Sequence, residues 1–351
     1  MDKKVIHIFH KPLGLGDQFS KEMGRALSKQ LGCDVQIKWL WSPRIYHGLC
    51  RRIFTGKLRL HILHDVLTVP FHLLFLRKVK RDDIVIVDGD SKVRPDTKCW
   101  FERRIVRNGA TYLFYLIDDL LSQPAYCEST ERRIRLSSAV IVVTPQLKKK
   151  VQEQFPDKPC IVWEEPIDCE RVGQITYPDP GATVSVAWTG RMPRAKKFNE
   201  MIQEAKESAD FSFRVVTGKK RPEMGFPFEW DWRPFCHARE AMSFNGCVAG
   251  IANLEDTPYD ACKGNYKVKT YMAMGLCPIV SDVGYARDLI KHGETGFLVS
   301  SKQDWIDAVR FVVENPHEAI EMGKRARLYI LNTYAAEPLA EAWARELKPL
   351  L

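Results

Sequence analysis

The chain has 351 residues, with 53 basic and 44 acidic side chains and a formal charge of +9, a length that allows two or three domains. Hydrophobic residues make up 45% and charged residues 28%, the balance of an ordinary globular protein, which excludes a tail-like disordered chain, a collagen and a coiled coil. Ten cysteines without a single CxxC pair exclude a disulfide framework, a zinc ribbon and a thioredoxin-type redox motif.

Dispersed thiols fit a reducing compartment. The first apolar run, Val5 to Phe9, is too short for a signal peptide or a membrane span, so the expectation is a cytoplasmic protein, or one peripheral on the inner face of the plasma membrane. Charge is uneven. Residues 1–110 carry 22 basic and 11 acidic side chains, and the remainder carry 31 and 33. Such a local field implies an anionic partner.

In chain order, short β-branched runs alternate with helical patterns. The first series is 5–9, 34–40, 83–89, 111–118, 139–144 and 160–165; the second is 184–190, 211–218, 247–254, 277–282 and 296–300. Near-continuous apolar runs suit strands buried on both faces of a parallel sheet. Helical stretches lie between them, among them 17–31, 196–208, 266–274, 303–314 and 317–332. Strand–helix alternation repeated twice predicts an α/β protein of two doubly wound, Rossmann-like domains, at 1–175 and 184–332. The Pro- and Gly-rich 173–183 reads as the linker. A last helix in 333–351 has no strand after it and suits packing back on the N-terminal domain.

The loop after the first run carries Gly14 and Gly16 ahead of Asp17, a helix cap. A glycine loop opening a helix is a phosphate site or a plain turn. It is neither GxGxxG nor a P-loop. Segment 39–81 combines Trp39, Trp41, Arg51, Arg52, Lys57 and Arg59, followed by an interrupted apolar stretch. Aromatics among cations suit an anionic membrane surface; a core helix with a basic flank is the plainer alternative. No helix-turn-helix, RNA-recognition or zinc motif supports nucleic-acid binding. Asp88 and Asp90 end the third run, where they can bind acceptor hydroxyls or merely form a turn. In the second domain Arg191 and Lys196 follow the strand ending at Gly190. Two cations at a strand's carboxyl end suit a diphosphate, Arg as a fork and Lys as a point charge, or else a solvated basic turn.

The segment YKVKTYMAMGLCPIVSD…HGETGFLV (266–299), together with GRMPRAK (190–196) and GLGDQ (14–18), resembles the GT-B glycosyltransferases, especially the retaining family-4 (group 1) type. The resemblance implies two Rossmann-like domains facing across a cleft, and transfer of a sugar from a nucleotide diphosphate sugar to a carbohydrate or lipid-linked acceptor, in surface polysaccharide or glycolipid synthesis. It implies no cofactor and no metal. By the same resemblance Gly14, Gly16, Arg191, Lys196, Lys267, Thr270 and Tyr271 bind the donor. Asp118 occupies the place of a histidine that reaches the reacting centre. The chain departs from the family where two glutamates usually stand eight residues apart, for here they are Cys262 and Thr270. The nearby loop offers Glu255, Asp256, Asp260, Lys263 and Asn265 as substitutes. That departure keeps a rival open, a non-catalytic GT-B-fold binding subunit that has lost turnover.

Overall fold

The computed structural model describes residues 5–9, 17–38, 72–88, 99–190, 199–218, 220–236 and 240–350. The strands Val5–Phe9 (β1), Asp34–Lys38 (β2), Ile84–Asp88 (β3), Thr111–Leu116 (β4), Ala139–Val142 (β5) and Cys160–Val162 (β6) form one sheet in the order β2-β1-β3-β4-β5-β6. The strands Ser185–Thr189 (β7), Ser212–Val216 (β8), Asp231–Arg233 (β9), Cys247–Ala252 (β10), Cys277–Ser281 (β11) and Phe297–Val299 (β12) form the other, in the order β12-β11-β10-β7-β8-β9. All of these pairings are parallel.

The apolar runs account for the strands. β3, β5, β10 and β11 are buried at every residue, as parallel strands covered on both faces must be. Local signals set the helices between them. Thr144 accepts from Leu147 N and Pro145 opens the helix Pro145–Gln154. Ser301 and Asp304 form a capping box for Lys302–Glu314. One strand escaped the sequence reading. β9 is a three-residue edge strand, Asp231–Arg233, that is nowhere fully buried, so it carries no apolar run.

The chain divides into two units, Met1–Glu164 with Leu339–Leu351, and Glu165–Pro338. The division comes before the expected boundary at 175. Ile167 N donates to Tyr334 O, and Arg171, whose own helix is capped by Asp168, pairs with Glu240 and reaches the Tyr266 hydroxyl. These contacts tie 165–175 into the second unit. The helix Ala336–Leu347 ends in the first unit, where Trp343 stacks on Trp163 at 4.5 Å and 3° and donates to Glu164 O at 3.2 Å.

Candidate functional site

Open doubly wound sheets bind ligands beyond the carboxyl ends of the strands, where the strand order reverses. In the second sheet the reversal lies between β7 and β10. β7 ends at Thr189, and Gly190 follows it. A Cβ built on Gly190 would meet the Trp188 ring at 2.5 Å and Lys267 Nζ at 3.2 Å, so this position accepts only glycine. The Lys267 side chain is half-buried, with its ammonium 5.0 Å from the centre of the Trp188 ring. It belongs to the first turn of the helix Tyr266–Met274, and in this crossover that helix presents its positive N-terminal end to the same strand ends.

Two polar atoms at this edge are buried without a partner among the described residues. One is Asn253 Oδ1, immediately after β10; the other is Asn265 Nδ2, at the N-cap of Tyr266–Met274. Asn265 takes a left-handed φ of 53°, which Asn tolerates better than most residues. A buried donor or acceptor left unpaired is costly, and a polar ligand relieves that cost.

Tyr271 has a different role from the one expected. It is 0% exposed, and its ring lies on Gly250, where a Cβ would come within 2.7 Å of it. The hydroxyl accepts from Thr189 N at 2.9 Å and donates to Ile251 O at 3.1 Å. Ile251 pairs with Trp188, so the next rung of the parallel ladder would run from Thr189 N to Ile251 O. The phenol stands in that rung. Burial raises its pKa far above the usual tyrosine range. The donor-binding role expected for Tyr271 is therefore corrected, because the residue joins β7 to β10 from beneath the site. Thr270 is also largely spoken for. Its hydroxyl donates to Tyr266 O at 2.9 Å, a bond within its own helix, which leaves it only an acceptor role toward a ribose.

The loop alternatives separate in the same way. Asp260 accepts from Glu255 N and pairs with Lys263, while Thr257 caps Pro258–Ala261. Asp260 and Lys263 therefore hold the loop's shape, and Glu255 and Asp256 are exposed. Cys262 is buried. Sequence reasoning missed Lys269. It is buried, donates to Glu165 O at 3.1 Å and lies 4.4 Å from the centre of the Tyr334 ring.

In the first sheet the order reverses between β1 and β3. Asp88 ends β3 and is buried; Asp118 follows the adjacent β4 and is half-buried. The two carboxylates thus stand at the carboxyl ends of neighbouring strands. Asp119 caps the turn Leu120–Ser122 and forms an ion pair with Lys150, a structural use of the second aspartate. Gly14, Gly16, Asp90, Arg191, Lys196, Trp39, Trp41, Arg51, Arg52, Lys57 and Arg59 lie outside the described residues. Among the described residues no three His, Cys, Asp or Glu side chains converge as metal ligands would.

Residues 270–329 match the family model described as glycosyl transferases group 1. No curated protein sequence matches the chain. Among solved structures it is similar to sucrose-phosphate synthase from Thermosynechococcus elongatus, at 15% identity and a TM-score of 0.63 over 99% of each chain. It is likewise similar to HepE of Anabaena in complex with UDP, at 12% identity and a TM-score of 0.62 over 99% of this chain and 100% of that one. The likeness to TarM has 14% identity and a TM-score of 0.57 over 80% of this chain, which spans only 58% of TarM. At such identities the likeness is one of fold. The chain has the two parallel α/β sheets of the GT-B glycosyltransferases, and its second unit carries a glycosyl transferases group 1 segment, as the sequence resemblance implied.

Proposed function

We propose that the protein is a glycosyltransferase whose second unit takes a nucleoside diphosphate sugar at the mouth between β7 and β10. The observation that carries this reading is the Lys267 ammonium beside Gly190, at the N-terminal end of Tyr266–Met274. Cation and helix end together stabilise a diphosphate, most of all as it becomes a leaving group and gains charge. Arg191 and Lys196 follow Gly190 in sequence and add two further cations to the same phosphates. The HepE structure, which holds UDP, supports a nucleoside diphosphate as the ligand class.

Transfer forms a bond from the acceptor oxygen to the sugar as the sugar–phosphate bond breaks. With retention, the departing phosphate oxygen takes the acceptor's proton, so no protein base is required. Asp118 serves the reacting sugar, and Asp88 with Asp90 the acceptor hydroxyls. The acceptor is a carbohydrate or a lipid-linked saccharide, as in surface polysaccharide or glycolipid assembly on the inner face of the plasma membrane. No helix among the described residues is long and apolar enough to cross a membrane.

Calorimetric titration with UDP, GDP and ADP, followed by a nucleotide-release assay with the matching nucleotide sugars, tests the reading. One nucleoside diphosphate should bind, and its sugar should turn over. Failure of all three to bind overturns it. Binding without turnover of any nucleotide sugar would establish the binding-subunit alternative, which the buried Cys262 and the self-bonded Thr270 favour.

A further inference from the structure

A crossover between parallel strands usually carries a helix, but the described residues of 217–230, between β8 and β9, hold none. Gly218, Pro222, Gly225 and Pro227 interrupt any helical run there. Irregular connections of this length are uncommon and usually carry a function. This one is anchored. Met224 is buried, and its carbonyl accepts from Asn199 Nδ2 at 2.9 Å. Gly225 takes a left-handed φ of 69°. Arg221 Nη2 donates to Trp230 O at 3.2 Å, and just beyond the loop Trp232 Nε1 donates to Thr217 O at 3.0 Å.

The loop forms an open recess of about 560 Å³, lined by Arg221, Phe226, Pro227, Phe228, Glu229 and Trp230, within the size range of small-molecule sites. Phe226 meets Phe213 of the core edge-on at 5.5 Å and lies nearly parallel to Phe228, at 5.1 Å and 26°. Trp230 stands edge-on to Phe226 at 6.0 Å, and the Arg221 guanidinium lies 4.6 Å from the centre of the Trp230 ring. All three aromatic side chains pack on the core of the second unit, yet each stays half-exposed. Arg221 and Glu229 are exposed, one of each sign. A ligand for this recess has an apolar face, a hydroxylated rim and no net charge. A phosphate would meet one acid for each cation, and a hydrocarbon would strip water from both charged groups without replacing it. A pyranose ring answers both demands. Its C–H face covers the negative face of an aromatic ring, while its hydroxyls donate to Glu229 and accept from Arg221. A nucleobase is flat as well, but by the function proposed above the nucleotide lies at the mouth between β7 and β10, whereas the recess lies at the β9 edge of the sheet. The choice of a saccharide over a nucleobase rests on that reading. We propose that the recess is a second saccharide site, which grips a neutral glycan chain by stacking on Phe226, Phe228 and Trp230, apart from the nucleotide mouth.

The test is calorimetric titration of the full chain with neutral hexasaccharides of glucose, galactose, mannose and N-acetylglucosamine, with uridine, guanosine and adenosine as controls and no nucleotide sugar present. At least one hexasaccharide should bind, and hydrogen exchange on that complex should show new protection at 220–230. Phe228→Ala removes one ring from the platform and should weaken the binding about two- to ten-fold. Glu229→Ala changes an exposed side chain, so it should keep the melting temperature and still weaken the binding about ten-fold. Both variants should bind a nucleoside diphosphate as the unaltered chain does. Saccharide binding is read without nucleotide, so a chain that binds no nucleoside diphosphate overturns the proposed function and not this site. Failure of every hexasaccharide to bind overturns the proposal. So does protection that appears elsewhere, binding indifferent to both substitutions, or a nucleoside that occupies the recess more tightly than any hexasaccharide.

Discussion

Tyr271 shows how a single side chain can hold two strands together in place of a backbone hydrogen bond. Its hydroxyl occupies one rung between β7 and β10, where the strand order reverses. Tyr271→Phe keeps the ring on Gly250 but leaves Thr189 N and Ile251 O buried and unpaired, a loss of about 1–3 kcal/mol. The melting temperature should fall and the Thr189 amide should exchange faster; if both stay unchanged, the strands have closed the rung by themselves. Lys267 and Lys269 make a second residue-scale contrast. Two positions along a helix are about 200° apart, so one lysine faces Gly190 and the other is buried against Tyr334. Nothing in the letters KVK distinguishes them, which is why only the first was legible through resemblance. Lys267→Met should weaken binding of the nucleoside diphosphate by about 10- to 150-fold, the worth of one charged partner, with the fold retained. Calorimetry showing unchanged affinity would remove Lys267 from the site.

At the level of elements, legibility followed burial. The apolar runs became strands with ends trimmed by at most three residues, because two-sided burial leaves a pattern in sequence. β9 left none, since an edge strand is held by backbone bonds and by Arg214 pairing with Asp231 at 2.6 Å. Helix-to-helix polar contacts were equally silent. Arg133 on Cys127–Leu136 pairs with Glu102 on Trp100–Arg107 at 2.9 Å, both buried, and the carboxylate keeps the guanidinium charged despite its burial. Arg133→Met strands Glu102 and should cost about 3–5 kcal/mol, whereas adding Glu102→Leu should restore much of it. Denaturant midpoints of the single and double variants distinguish a true pair from two independent losses. The capping box of Lys302–Glu314 should respond to pH. Asp304 accepts from Ser300 N and Ser301 N at 2.9 Å each, and these bonds lower its pKa. A carboxyl depressed in the folded state stabilises above its unfolded pKa, about 3.9, and loses that effect as pH falls through the folded value. Asp304→Asn should therefore melt below the wild type at neutral pH, and the gap should narrow as pH drops under about 4. A gap that is constant with pH would mean that the charge is irrelevant to the cap.

On the scale of the whole molecule, sequence order and structural order part company at one place. Two series of strands announced two domains, and a last helix with no strand after it suited packing back on the first, as Leu339–Leu351 does, yet no periodicity could reveal that 165–175 belongs with the second. Both assignments rest on individual contacts far apart in sequence: Arg171 with Glu240, and Trp343 with Trp163. The first unit is therefore discontinuous and is completed only when the end of the chain returns to it. Leu339, Ala340, Trp343, Ala344 and Leu347 are all buried in the returning helix. Trp343→Ala removes the stacked indole and its bond to Glu164 O, and should cost about 3–5 kcal/mol. Because the loss falls on one unit, scanning calorimetry should resolve two transitions in the variant, the lower one from the first unit. A bound nucleoside diphosphate should raise only the upper transition, since it engages the second unit. A single transition shifted as a whole, and raised as a whole by nucleotide, would mean that the two units unfold as one and that the contribution of Trp343 is not local to the first.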